Sequence, residues 1–177
     1  MTKIDIRPAT TEDIPLIREM AAIVFPATYR EILSPVQLDY MMEWMYSEQS
    51  LIRQMSEGHR FFIASTKPKD SSMTAGTPCG YMSIEGFHLQ KLYVLPGHQG
   101  HGIGKALFNH AVREATQKAK GTIANSSERP RLELNVNRNN PAVGFYTRQG
   151  MKILRQGDFP IGGGFYMNDY IMGLDLL

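Results

Sequence analysis

Apolar positions along the chain recur at two spacings, one helical and one alternating, and they mark out the expected elements. Ile4 to Arg7 alternates as a short strand, and Pro8 stops it. Thr10 or Thr11 then caps a helix, with Glu12 and Asp13 in the first turn, where the helix dipole favours acids. Ile14, Ile17 and Ala21 share one face of that helix, which is expected to end near Phe25-Pro26. Ser34-Pro35 opens a second helix, a capping hydroxyl before a Pro at the first helical position. Its Leu38, Met41, Met42 and Met45 recur at helical spacing and read as core. Arg60 to Ser65 predicts a strand, and Lys67 to Pro78, polar and punctuated by Pro and Gly, a loop. Tyr81 to Ile84 and Leu89 to Leu95 read as a hairpin through Glu85-Gly86. Ile103 to about Lys120 is an amphipathic helix, with Ile103, Ala106, Leu107, Ala111 and Ala115 on one face. After a strand from Leu132 to Val136, Asn140-Pro141 begins a helix that Gly150 closes. Lys152 to Gln156 and Phe165 to Leu174 complete the set. Helices interleaved with strands in this order predict an α/β (α+β) fold, a single domain over residues 1–177.

Composition narrows the class without naming it. A hydrophobic content of 42% and a charged content of 20% are ordinary for a globular chain and exclude disorder. A net charge of +2 with scattered Lys and Arg gives no basic stripe, so nucleic acid is not an expected partner. Cys79 stands alone, which rules out an intrachain disulfide and reads as a small buried residue. No stretch has the apolar length of a signal peptide or a membrane span, so a cytoplasmic location without membrane contact is expected. A homodimer stays open.

The densest local signal is Val94-Leu95-Pro96-Gly97-His98-Gln99-Gly100-His101-Gly102-Ile103-Gly104-Lys105. Glycines crowd a strand-to-helix turn, where unpaired N–H groups point outward and carry partial positive charge. A phosphate can approach such a backbone closely, and Lys105 adds charge. The Walker pattern fails, because Gln99 stands where its first Gly belongs and Ala106 where its Ser or Thr belongs. The dinucleotide fingerprint fails at Lys105. His98 and His101 have no companion ligand at metal-binding spacing, so no metal is expected.

Gln99, Gly102 and Gly104 resemble the Gln/Arg-x-x-Gly-x-Gly/Ala signature of the Gcn5-related N-acetyltransferase superfamily. A second motif of that superfamily is matched by Asn139, Ala142, Phe145, Tyr146 and Gly150, with Met151 where Phe is usual. The resemblance runs along essentially the whole chain. It implies a mostly antiparallel central sheet flanked by helices, with a splayed parallel strand pair forming a cofactor slot. It also implies acetyl-CoA as co-substrate, with its pyrophosphate on the backbone of Gln99, Gly100, His101, Gly102, Ile103, Gly104 and Lys105. The pantetheine arm is expected along Leu92 to Val94, with the Val94 amide at the thioester carbonyl. Asn137 and Asn139 are expected on the other side of the arm, and Arg148 at a phosphate.

By the same resemblance Tyr146 is the general acid that protonates the departing thiolate, a step a phenol performs without prior ionisation. The general base is expected on the strand before the glycine turn. There Gln90 cannot take a proton and His88 can, with Glu85, Glu133 and a water relay as competitors. Tyr29, Glu85, Tyr166 and Asp169 are the expected acceptor-binding residues, with Asp158 and Tyr170 in the same final region. Acidic and aromatic groups suit a cationic amine. The run Gly164-Phe165-Tyr166-Met167 is similar to bacterial polyamine acetyltransferases, which points to a small amine before a protein N-terminus or lysine. A non-catalytic acyl-CoA-binding module is the rival of another class.

Overall fold

The computed structural model describes residues 2–70, 72, 75–122 and 129–176. Its strands are β1 (Thr2–Pro8), β2 (Arg60–Pro68), β3 (Thr77–Glu85), β4 (His88–Val94), β5 (Arg131–Asn137), β6 (Lys152–Gly162) and β7 (Phe165–Asp175). Its helices are α1 (Ile14–Tyr29), α2 (Pro35–Tyr46), α3 (Glu48–Ser56), α4 (Ile103–Thr122) and α5 (Ala142–Arg148). The strands form one sheet in the order β1-β2-β3-β4-β5-β7-β6, antiparallel at every step but β4 to β5. This is the mixed sheet with one parallel pair that the sequence led us to expect.

Both faces of the sheet are covered, which explains why β2 reads as an unbroken apolar run. Phe62 and Ala64 point into one cluster with Leu107, Phe108, Leu132 and Met172, beneath α4 and α5. Phe61 and Ile63 point the other way, into a cluster with Ile17, Phe25, Tyr46, Leu51 and Tyr81, beneath α1, α2 and α3. None of the described helices is long and apolar enough to cross a membrane.

Several boundaries differ from expectation. Helix α1 does not end at Phe25-Pro26 but carries Pro26 inside it and runs to Tyr29. Proline removes one helical donor, yet the ladder resumes when the Arg30 N–H donates to the Pro26 carbonyl at 3.0 Å. Burial of Phe25 and Tyr29 in the second cluster holds that last turn in place. Helix α3 was not read at all, although the Ser47 hydroxyl caps it by accepting from the Ser50 N–H at 3.1 Å. Strand β3 reaches back to Thr77, into the expected loop, and β6 runs on past Gln156 to Gly162. Residues 71, 73 and 74 of the loop expected from Lys67 to Pro78 lie outside the described residues.

Candidate active site

The site begins where β4 leaves β5. The parallel pairing is confined to His88 opposite Glu133 and Leu89 opposite Leu134. Across β4 on its other side, Ser83 of β3 pairs with Lys91 while Ile84 pairs with Leu89, so Gln90 is an extra residue. A bulge of this kind bends its strand and ends local pairing. From Gln90 onward the β5-facing edge of β4 has no strand partner among the described residues, and a slot opens between the two strands.

The slot continues into the glycine turn. Gly100 and Gly102 hold φ values of +80° and +83°, which glycine adopts without strain. A Cβ built on either would meet nothing within 4 Å, so the space they face is open to a ligand. The first helical bond of α4 runs from the Ala106 N–H to the Gly102 carbonyl at 3.0 Å. The preceding N–H groups of Ile103, Gly104 and Lys105 therefore have no helical acceptor and suit an anion. Gln99 braces the turn, its Nε2 donating to the Val94 carbonyl at 3.2 Å. Together these elements wall a cavity of about 660 Å³, lined among others by Leu92, Val94, Gln99, Gly100, Gly102, Gly104, Lys105, Phe145, Tyr146 and Arg148. No ion pair engages Lys105 or Arg148 among the described residues, so both cations remain available to phosphates. An elongated phosphorylated molecule such as acetyl-CoA fits this arrangement of slot, cradle and charge.

Tyr146 stands on the cavity wall from α5, its ring packed on Phe108 and Phe145 at centroid distances of 6.1 and 5.2 Å. Burial holds its phenol well above the ordinary range, so it stays protonated. Among the described residues its hydroxyl has no hydrogen-bond partner. Beside it lies a second phenol pair, Tyr29 and Tyr93, with hydroxyls 3.1 Å apart. Asn140, just before α5, fixes Tyr29: its Nδ2 donates to the Tyr29 hydroxyl at 3.4 Å while its Oδ1 accepts from the Ala142 N–H at 2.9 Å. Burial raises both phenols, Tyr93 most strongly.

Beneath α1 and α2 a smaller cavity of about 60 Å³ is lined by Phe25, Tyr29, Leu33, Gln37, Met41, Met45, Gln90, Lys91, Tyr93, Asn135, Asn137, Tyr166, Met167 and Asp169. Tyr29, Gln90, Lys91, Tyr93 and Asn135 line both cavities, which therefore back onto one another at the splay. The turn between β6 and β7 closes the outer wall. Gly162 and Gly163 hold φ of +89° and +61°, and a Cβ on Gly162 would sit 2.5 Å from the Tyr40 hydroxyl. Tyr40 donates to the Ile161 carbonyl at 2.7 Å, and Gln37 Nε2 to the Tyr166 carbonyl at 2.8 Å, tying α2 to this hairpin.

Asp169 is 1% exposed, and burial raises its carboxyl above the usual range. Asn135 Nδ2 donates to it at 3.4 Å. Among the described residues it is the only carboxylate on the wall of either cavity. Lys91 is also buried, and burial lowers its amine to about 8. Its Nζ donates to Gln54 Oε1 at 2.6 Å and lies over the rings of Tyr46 and Phe61, none of which lines a cavity.

Not every expected site residue meets at these cavities. His101 and Ile103 do not line the larger one, and the Ile103 side chain is core. Asn137 lines the smaller cavity rather than the larger, and Asn139 neither; its N–H donates to Asn137 Oδ1 at 2.9 Å. His88 and Glu85 line neither cavity, because they lie at the closed end of the pair, where β4 still runs beside β5. Burial lowers the His88 imidazole, against the pull of Glu133 and Glu85. Glu133 is paired with Arg131 at 3.9 Å and Arg155 at 3.6 Å. Asp158 is paired with Arg138 at 2.8 Å, and Tyr170 packs on the cluster beneath α4. Sequence reasoning missed Lys91, Tyr93, Asn135 and Asn140. Alternation along β5 does place Asn135 opposite Leu134 and Val136, but nothing local marks the other three.

Residues 57–152 match the acetyltransferase (GNAT) domain family. Over 77 residues the chain is 39% identical to the peptidyl-lysine N-acetyltransferase YjaB of Salmonella typhimurium, a match covering 43% of this chain and 43% of that relative. The match thus spans less than half of that relative's length. Over 127 residues it is 35% identical to an uncharacterised N-acetyltransferase of Mycobacterium bovis, covering 67% of this chain and 75% of the relative. In fold it is similar to the PaiA N-acetyltransferase of Thermoplasma acidophilum, solved in complex with coenzyme A: TM-score 0.70 at 23% identity, covering 98% of this chain and 99% of that one. The chain belongs to the GNAT acetyltransferase family.

Proposed function

We propose that the protein is an N-acetyltransferase that moves an acetyl group from acetyl-CoA to the primary amine of an unbranched aminoalkyl acceptor, by direct attack with both substrates bound. The observation that carries this reading is the meeting of two unequal cavities at the β4–β5 splay, the larger bordered by the glycine turn and the smaller by α2 and the start of β7. Acetyl-CoA supplies the activated acetyl group as a thioester. Lys105, Arg148 and the amides of the glycine turn hold its phosphates, and the free edge of β4 from Leu92 to Val94 holds its arm. The acceptor enters the smaller cavity, between Tyr29, Tyr166 and Asp169. At about 60 Å³ that cavity holds four to six water-sized groups, at roughly 10–15 Å³ each, the length of an aminobutyl arm. Asp169 holds its ammonium, and the aromatic walls favour a cation. Tyr146 then gives its proton to the departing thiolate.

A free polyamine and a lysine side chain present the same arm. The likeness to polyamine acetyltransferases favours the small molecule, and the similarity to a peptidyl-lysine N-acetyltransferase, YjaB, makes a peptide lysine the second reading. The test is CoA release from acetyl-CoA across a panel of diamines, polyamines, lysine peptides and peptide N-termini. Release is expected fastest with unbranched aminoalkyl acceptors. Acetyl-CoA binding without release on any amine would make the protein a non-catalytic acyl-CoA-binding module.

A further inference from the structure

An amine that reaches the smaller cavity arrives as ammonium and must shed a proton before it can attack. We infer that Asp169 is the group that takes this proton, a role that rests on the acetyltransferase reading above. Among the described residues it is the one carboxylate on the wall of either cavity, and it faces the side from which the acceptor comes. It is 1% exposed, so no bulk water competes for it. Its side chain accepts one hydrogen bond within the protein, from Asn135 Nδ2 at 3.4 Å, and no cation of the protein lies within ion-pair distance among the described residues. Asn135 lines both cavities, so Asp169 is held one side chain away from the gap at the splay.

The other groups there are worse placed. Tyr29, Tyr93 and Tyr146 are phenols that burial keeps protonated, fit to donate and unfit to accept. The Lys91 amine is turned to Gln54, Tyr46 and Phe61, outside both cavities. His98 lines only the larger cavity, beside the glycine turn, and His88 lines neither. Arg138 is spent on Asp158 and the Gly157 carbonyl, at 2.8 and 3.1 Å.

The protons balance. Asp169 takes one from the ammonium and later returns it to solvent. The freed nitrogen forms a bond to the thioester carbonyl carbon, and the carbon–sulfur bond breaks. The sulfur leaves with its electron pair and takes a proton from Tyr146, which recovers one from the acetylated nitrogen. One ammonium and one thioester thus become one amide, one thiol and one released proton.

The test compares two acceptors of equal length, an aminoalkyl cation and an alkanoyl hydrazide whose amine is already neutral at neutral pH. Asp169→Asn is expected to lower kcat on the saturating cation by roughly a hundred- to ten-thousandfold, the usual contribution of general base catalysis. On the hydrazide kcat should stay within about threefold of wild type, as its nitrogen has no proton to lose first. A raised KM with normal kcat on the cation would reduce Asp169 to a binding group and overturn the assignment. Equal losses on both acceptors would assign it to packing, with the same consequence. If Asp169→Asn loses acetyl-CoA affinity in calorimetry, Asp169→Glu decides, because it keeps the carboxylate. Its kcat on the cation must exceed that of the Asn variant by about tenfold or more, and equality overturns the proposal. A wild type that binds acetyl-CoA and turns over neither acceptor would remove the acetyltransferase reading itself, and the proposal with it.

Discussion

A side chain's surroundings decide whether it donates a proton, seats an anion or fills space, and Tyr146 and Gly104 show two of these outcomes. The Tyr146 ring is core, wedged between Phe108 and Phe145, while its hydroxyl stays at the cavity wall without a partner among the described residues. Tyr146→Phe therefore keeps the packing and removes the one proton the ring can give. Turnover should fall by roughly a hundred- to ten-thousandfold with unchanged acetyl-CoA affinity. Stopped or near-normal turnover at saturating substrates, read as CoA release, separates the acid from a spectator. Gly104 tests the phosphate seat better than Gly102, whose φ of +83° would strain any replacement. A Cβ on Gly104 meets Phe145 at 3.5 Å and Val94 at 3.8 Å, ordinary contacts, so the fold tolerates it. The added bulk of Gly104→Val beside the turn is expected to hold a phosphate off the amides. Loss of one such charged hydrogen bond weakens acetyl-CoA by roughly tenfold or more. Calorimetry giving the wild-type affinity would move the phosphates elsewhere.

Among the elements, the helix α2 and the β6–β7 hairpin form one unit, because the glycine turn of the hairpin leaves room for Tyr40 to reach the Ile161 carbonyl at 2.7 Å. Tyr40→Phe should cost about 1 kcal/mol in urea unfolding, the usual worth of one hydrogen bond. It should also raise KM for the acceptor while leaving acetyl-CoA affinity alone, since only the smaller cavity borders this hairpin. Rises in both constants would mean that the hairpin supports the whole sheet. Much of this scale was legible in the sequence. Helix α4 and its buried Leu107, Ala111 and Ala115 follow from period alone, and the glycine turn from its spacing. The bulge at Gln90 was not, and it misleads about His88. Strict alternation puts His88 on the face of Leu92 and Val94, beside the slot. One extra residue reverses that parity, so Leu89 shares the cluster beneath α4 with Leu92 and Val94, and His88 points the other way. Asp169 was visible as an acid on the last strand. Its burial was not, because that comes from α1 and α2 folding over β7 from far away in sequence.

At the scale of the whole molecule, folding takes a cation out of water without giving it a carboxylate. Lys91 is 8% exposed, and burial lowers its amine from 10.5 to about 8. Below pH 8 the folded and unfolded chains both carry the charge, and the folded one bears the full cost of burying it, on the order of 3 kcal/mol. Between about pH 8 and 10.5 the unfolded chain holds more protons than the folded one, so stability rises with pH through that window. Above it the cost is gone. The buried phenols Tyr46, Tyr81 and Tyr93 act oppositely, since burial raises them, and their contribution falls once the unfolded chain ionises near pH 10. Wild type alone therefore mixes two slopes, and Lys91→Met separates them, keeping an unbranched side chain one atom shorter and losing its charge. Methionine leaves Gln54 Oε1 without its donor, so the absolute stability of the variant combines a gain and a loss. The pH dependence carries no such ambiguity. Between pH 7 and 10 the stability of wild type relative to Lys91→Met should climb by about 2 kcal/mol in urea unfolding. Parallel curves would show that the Lys91 amine reaches water in the folded protein and titrates there as it does in the unfolded chain.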